Sequence, residues 1–465
     1  YGGTLDLLSK SYAPGENFAA NMAVYGRHLA KDLGLWVLPL SLWGGVRWGT
    51  ARPRLLAGSL LLYIAAGPLF LYLANMPPNP HALAIVEPHY MLSDLVLCLW
   101  AGAGLTAACL RVGGAWPAVA FAAVAAAAPV FSGRLHRMDR RWDLFAHDWA
   151  DSALRSAPPG SVLVAKKDVQ IFALWHHQRV LGRRPDVVSF AQGLAHTPWH
   201  QEALRRSGAA LRPGALRSKE EWQAFLSANP KTVVTMDAEF PPGVTPGLPR
   251  GLAAPVPERP AEGPDPAPFL VLRGDARYEQ RPDFFSADLV ESWASARQRR
   301  GGALAVAGQA APARRELFGA WALKRRLPDA ADLLGYLALT AGDAAAAAAY
   351  YETAAVLYDE TFGLVREYNS LPETRRGITM AAADSAVNLG VAYEKLGRKP
   401  DAERVYRRAL SLRPDLARAH FNIAVLHWGA DWRLVVSELE AALAADPGNA
   451  DALRYLPVAR AKLRP

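Results

Sequence analysis

Hydropathy limits what this chain can become more than any other feature. Four apolar runs lie within the first 132 residues: Leu33 to Val46, Leu55 to Met76, Tyr90 to Leu110 and Ala115 to Phe131. The whole stretch is nearly free of Asp and Glu, whereas charge is frequent beyond it. A helix of about 20 apolar residues crosses the hydrocarbon of a bilayer. The second and third runs reach that length, the first is short and the fourth is Ala-rich. Runs this long with so little charge suit a bilayer better than a soluble core. No cationic start or small-residue cleavage site precedes the first run, so it does not read as a signal peptide. Residues 33–132 are expected to form about four transmembrane helices, with 1–32 an outward loop or amphipathic segment.

Loop charges set the expected orientation. Arg47, Arg52 and Arg54 draw their loop to the cytoplasm. The loop from Pro77 to His89 has no Lys or Arg and faces outward, and Arg111 again fits the inside. Alternation then puts everything after residue 132 outside. Arg134, Arg137, Arg140 and Arg141 pull the other way, but large domains translocate largely regardless of charge.

With 465 residues, the chain is too long for one ordinary domain. Its net charge of +9 comes mostly from Arg spread over loops and helices, which argues against a nucleic-acid partner. Cys98 and Cys109 are the only cysteines. Eleven residues of helix set them about 16 Å apart along its axis, too far for a disulfide. No CxxC is present, so neither a zinc site nor a redox motif is supported. Tyr1 is not a Met, which reads as a fragment or a processed product.

Asp94 is the only acid within the apolar runs, and an ionisable group at membrane depth is a functional candidate. Glu87, His89 and Tyr90 form a polar rim just before it. Arg27 and Lys31 stand beside the first run, placed to hold a lipid phosphate or simply to flank the membrane. These six are the candidate contacts for a substrate or lipid headgroup.

Residues 133–275 read as a small α/β domain. Ser161 to Ala165, Asp186 to Phe190, Lys231 to Met236 and Pro268 to Leu272 are β-like, with helical patterns at Val169 to Val180 and Thr197 to Arg206. Such alternation suggests a largely parallel sheet. The Pro- and Gly-rich stretch from Pro241 to Pro266 reads as a loop. His176, His177, His196 and His200 have no carboxylate at metal-ligand spacing, and no metal is expected. No GxGxxG, Walker loop or GxSxG is present, and no cofactor is evident.

After a helical connector at 276–329, residues 330–465 repeat. Leu389, Gly390, Tyr393, Gly397, Ala402, Tyr406, Ala409 and Pro414 fall on the pattern of a tetratricopeptide (TPR) repeat. In that pattern small residues let two helices approach, aromatics fill the groove between them and Pro ends the second helix. Asn422 answers Asn388 at 34 residues, and Pro447 follows Pro414 at nearly the same step. An earlier unit is marked by Leu334, Gly335, Gly342, Ala349 and Ala354, separated by an insertion of about 21 residues placed at Thr361 to Met380. About three units are expected, binding a protein or peptide partner. The expected whole is a multidomain chain: an α-helical transmembrane bundle, a small α/β domain and an all-α TPR solenoid.

Two stretches carry a family resemblance. One is Asn75-Met-Pro-Pro, Glu87-Pro-His-Tyr90 and Leu97 to Gly104; the other is Ser161 to Ala165, Asp168, Phe172, Leu174-Trp175, Arg184-Pro-Asp-Val187 and Trp199. Together they resemble the bacterial relatives of the transmembrane protein O-mannosyltransferases, long grouped as a domain of unknown function. The resemblance covers roughly residues 1–205. It implies a GT-C-like membrane module in a bacterial cytoplasmic (inner) membrane, and a soluble half outside the cytoplasm. It also implies a polyprenyl-phosphate sugar donor, a protein acceptor and membrane lipid as partners, with the TPRs holding acceptor. Lys166-Lys167-Asp168 departs from the family's acidic, Asn-rich turn. The family's catalytic acid sits in an early outward loop that would lie upstream of Tyr1, so no residue here inherits that role. The competing expectation is a non-enzymatic, membrane-anchored TPR scaffold for envelope assembly.

Overall fold

A computed structural model describes residues 12–34, 37–131, 141, 143–206, 211–258, 265–274, 284–367 and 372–463. Residues 1–11 and Arg134, Arg137 and Arg140, used above, therefore lie outside the described residues. The chain divides into two compact units, one built up to Trp142 and one from Asp143 onward (Leu364–Leu371 group with the first).

The first unit is helical: α1 (Phe18–His28), α2 (Val37–Ala51), α3 (Pro53–Ile64), α4 (Phe70–Ala74), α5 (Pro80–Val86), α6 (Tyr90–Val112) and α7 (Trp116–Phe131). Residues read from sequence as a loop or amphipathic segment thus include α1, whose Tyr25 is buried against Leu71, Val86 and Tyr90. Two helical stretches, Pro53–Ala74 and Ala82–Val112, are long and apolar enough to cross a membrane by length and composition; Trp116–Ala125 is apolar but shorter. α2 and α6 meet through glycines. A Cβ on Gly44 would lie 1.8 Å from the Trp100 carbonyl oxygen, and one on Gly104 would lie 2.2 Å from that of Leu40. Only hydrogen at both positions lets the backbones come this close.

In the second unit, α8 (Phe145–Ser156), α9 (Asp168–Trp175), α10 (Pro198–Arg206) and α11 (Lys219–Ala228) accompany a four-stranded sheet. β1 (Val162–Ala165) pairs in parallel with β2 (Val188–Ala191) and β3 (Thr232–Thr235), and β4 (Ala253–Pro255) is antiparallel to β3. All of β1 is buried, as its unbroken apolar run requires of a central parallel strand.

The fourth strand is not where the sequence suggested. β4 lies within the stretch read as a loop, and Pro268 to Leu272 makes no ladder. That segment is held to α8 instead, with Ser152 donating to the Val271 carbonyl and Asp148 accepting from the Arg273 amide at 2.8 Å. The Arg184-Pro-Asp motif has a structural task. The Arg184 guanidinium donates to the Leu154 and Ala157 carbonyls at the end of α8 and pairs with Asp186, which accepts from the Gly160 amide.

Four helix pairs follow: α12 (Phe284–Val306) with α13 (Ala310–Leu323), α14 (Pro328–Thr340) with α15 (Ala344–Glu367), α16 (Pro372–Lys395) with α17 (Lys399–Leu412), and α18 (Ala417–Leu426) with α19 (Trp432–Ala445). α20 (Ala450–Leu463) closes the array. This is one pair more than expected, because the stretch read as a connector holds the first. Its aromatic signature is missing: Leu317 stands against Gly301 where Tyr351 stands against Gly335 and Tyr406 against Gly390. The insertion lengthens α15 and α16 to 24 residues each, against 14 for α13, α17 and α19. It therefore extends one helical hairpin.

Candidate functional site

In the first unit, the six candidate residues do not form one site. Arg27, Lys31, Glu87 and His89 are exposed. The His89 ring lies against Phe70 with 4.6 Å between centroids. Tyr90 and Asp94 do come together, around a residue the sequence reading missed. His28 on α1 places Nε2 2.7 Å from Asp94 Oδ2 on α6, with both side chains about one-sixth exposed. The rings of Tyr25 and Tyr90 flank the imidazole at 6.2 and 4.9 Å. Asp94 Oδ1 and the Tyr90 hydroxyl are buried with no protein hydrogen-bond partner. An imidazole backed by a carboxylate is the arrangement a general base uses, the carboxylate holding the ring in place. The pair joins positions 66 residues apart, so periodicity within one helix gave no sign of it.

Parallel α/β sheets take ligands beyond the carboxyl ends of their strands, where the strand order reverses. Here that point lies between β1 and β3, and it is filled from within the chain. Lys167, just after β1, puts Nζ 3.1 Å from Asp237 after β3 and 2.9 Å from Asp288 on α12. Burial alone would lower the Lys167 ammonium, but Asp237 and Asp288 raise it above the ordinary lysine range. Burial raises the Asp288 carboxyl to about 6 although Lys167 opposes it. The Lys166-Lys167-Asp168 turn thus supplies the cation that fastens α12 to the sheet. Leu289, Val290, Trp293 and Ala296 of α12 complete the same apolar core.

Among the described residues, no three His, Cys, Asp or Glu side chains gather to hold a metal ion. His177 and His200 are buried, and burial lowers both imidazoles. His200 packs among Trp175, Phe190 and Trp199.

In the repeats, Leu389, Ala402, Tyr406 and Ala409 are buried in one cluster. The Tyr393 hydroxyl donates to Glu352 at 2.7 Å, tying α16 to the preceding pair. Gly397 makes the turn between α16 and α17 at φ +73°, and Pro414 follows α17. Helix pairs built on this small-residue and aromatic lock, each closed by a glycine turn, are tetratricopeptide repeats.

A family model for the tetratricopeptide repeat matches residues 383–416. No protein among curated sequences matches the chain. Solved structures to which part of the chain is similar include the APC/C hetero-tetramer Cut9–Hcn1, at 22% identity over 38% of this chain and 32% of that one, with a TM-score of 0.30. This chain therefore spans about a third of that relative's length. MamA is similar at 20% identity over 34% of this chain and 81% of its own, with a TM-score of 0.27. The TPR domain of P58(IPK) is similar at 15% identity over 39% of this chain and 60% of its own, with a TM-score of 0.18.

TPR arrays carry a protein-interaction or scaffold role, and this one has two surfaces fit for it. A cleft of about 230 Å³ runs between α15 and α17 above α16, with Val356, Ala386 and Leu389 among its apolar lining and Arg404 and Arg408 at its edge. The other surface is formed by the first helices of successive pairs. Tyr336 on α14, Val425 on α18, Trp428 just after α18 and Tyr455 on α20 are exposed there. Trp428 lies 5.6 Å and Phe421 6.2 Å from the Tyr455 ring.

Proposed function

We propose that this protein is a membrane-anchored platform that holds a protein partner on its tetratricopeptide array. The observation that carries the reading is the exposed aromatic cluster near the end of the array, where Trp428 and Tyr455 stand 5.6 Å apart. Exposed Trp and Tyr in a cluster supply large contact area at small entropic cost and mark protein-binding surfaces. The apolar stretches Pro53–Ala74 and Ala82–Val112 support the anchor. A photo-crosslinking residue at Trp428 tests the platform against the same residue at exposed Arg314 on α13. Partner adducts are expected from the first position and not the second. Equal yields, or none from Trp428, remove the reading. Resistance of the chain to carbonate extraction from membranes tests the anchor.

A second reading, transfer of a sugar from a polyprenyl-phosphate donor to a protein hydroxyl, rests on the family resemblance and on the His28–Asp94 pair. The chemistry needs a base for the acceptor hydroxyl. The acceptor oxygen bonds to the anomeric carbon as its proton passes to His28. The bond from that carbon to the phosphate oxygen breaks, and its electron pair leaves with the lipid phosphate. Arg27 and Lys31 lie on the same N-terminal segment as His28, where a lipid phosphate would meet cations. Membranes carrying the protein should transfer radiolabelled hexose from polyprenyl phosphate, and His28→Gln and Asp94→Asn should abolish it. Unchanged transfer in both variants excludes this role for the pair.

A further inference from the structure

The open row of first helices has two chemically different ends. At the α14 end, Asp332 is held near Asp329 and Asp384, with Ser385 and Asn388 facing its carboxyl. Asp329 already accepts from Tyr358 at 2.8 Å and from Gln298 at 3.1 Å. Asp384 has Arg413 at 3.5 Å. Among the described residues Asp332 has no cation beside it: its Oδ1 is buried without a hydrogen-bond partner, and only the uncharged side chains of Ser385 and Asn388 lie at its carboxyl. Exposed Tyr336 stands one turn further along the same helix, presenting an aromatic face to any cation that reaches Asp332. At the α18 end the surface is apolar, with Phe421, Val425, Trp428 and Tyr455 gathered together. Between the ends, Arg418 donates to the Asn388 Oδ1 at 3.2 Å. Guanidinium and amide there offer donors to backbone carbonyls.

We propose that this lane binds an extended segment of the protein partner, with a Lys or Arg at Asp332 and Tyr336 and an aromatic or large aliphatic residue at Phe421, Trp428 and Tyr455. The proposal rests on the platform reading and names its partner chemistry. The choice of charge follows from complementarity, since Asp384 has Arg413 whereas Asp332 has no cation, so a basic side chain would be attracted there and an acidic one repelled. The spacing follows from geometry. Packed helices stand 8–10 Å apart, so the two steps from α14 through α16 to α18 span roughly 20 Å. An extended chain rises about 3.3 Å per residue, which puts the two anchors about six residues apart.

The test uses the full chain in nanodiscs and end-blocked fluorescent dodecapeptides of Ser and Gly. Each carries one Lys and one Trp, three, six or nine residues apart, and fluorescence anisotropy reads binding. The six-residue spacing is expected to bind best. Replacing the peptide Lys by Glu should weaken it about tenfold, roughly 1.4 kcal/mol. Asp332→Asn, nearly isosteric, should erase the Lys-over-Glu preference and keep the dependence on Trp. Trp428→Ala should do the reverse, with unchanged helical circular dichroism as the folding control. Equal binding of Lys and Glu peptides, or a preference that survives Asp332→Asn, overturns the proposal. If no peptide binds while crosslinks at Trp428 still form, the lane chemistry is wrong and the platform stands. If the crosslinks are absent too, both fall.

Discussion

Gly390 and Tyr406 are locked together: a Cβ on Gly390 would lie 2.2 Å from the tyrosine ring. The ring is fully buried and its hydroxyl donates to Glu394, so it has nowhere to retreat. Gly390→Ala should therefore destabilise the array by about 1–3 kcal/mol, the usual cost of overpacking. Gly377 on the same helix has open space around it. There alanine should stabilise by about 0.5–1 kcal/mol, because glycine is a poor helix former. Thermal unfolding of the two variants should shift in opposite directions, and equal shifts would contradict the packing argument.

Lys167 joins the sheet to the first repeat helix through Asp237 and Asp288. Lys167→Met leaves both carboxylates without their cation. Breaking a fully buried pair costs about 3–5 kcal/mol, and partial exposure here reduces that to about 2. The pH dependence has a definite sign. Asp288 is raised to about 6, so its stabilising contribution is complete below its ordinary value of 3.8 and is lost as pH rises through 6. Without Lys167 that rise is larger, and the variant's deficit should be greater at pH 8 than at pH 5. A deficit independent of pH would exclude the electrostatic role.

Asp148 behaves in the opposite sense. Burial raises its carboxyl, but the side chain and amide of Arg273 more than offset this and hold it below its ordinary value. Its stabilising contribution is present above pH 3.8 and is lost as pH falls through the depressed value. Asp148→Asn should cost about 1–3 kcal/mol at pH 7, the penalty for a broken buried polar contact, and flatten the acid limb of stability. Urea unfolding at pH 7 and at about pH 2 measures both.

Burial raises Asp332 to about 6, against ordinary carboxyls near 3.8. As with Asp288, its contribution is lost as pH rises through 6. Asp332→Asn should stabilise the chain at pH 7.5 by about 2 kcal/mol and leave stability unchanged near pH 4. A melting temperature unchanged at pH 7.5 would show the carboxyl to be better solvated than its packing indicates.

Local sequence determined the elements whose cause is local. Gly335, Gly390 and the 34-residue step from Asn388 to Asn422 mark helix pairs because close helix approach demands small residues at fixed spacing. The apolar run Val162 to Ala165 reads as a buried strand because it has no polar face to turn outward. The first helix pair escaped notice because Leu317 fills the groove that Tyr fills elsewhere, leaving only Gly301 as a mark. Tertiary structure alone decided the rest. Pro268 to Leu272 has strand composition, yet Ser152 and Asp148 on α8 take its backbone groups before any ladder can. His28 meets Asp94 across 66 residues, and Lys167 meets Asp288 across 121. Pairing at that range depends on how whole helices pack, and helical period fixes only which face a side chain shares with its own neighbours. The repeats were written in the sequence; the contacts that give them a charged end, an aromatic end and a fixed mount were not.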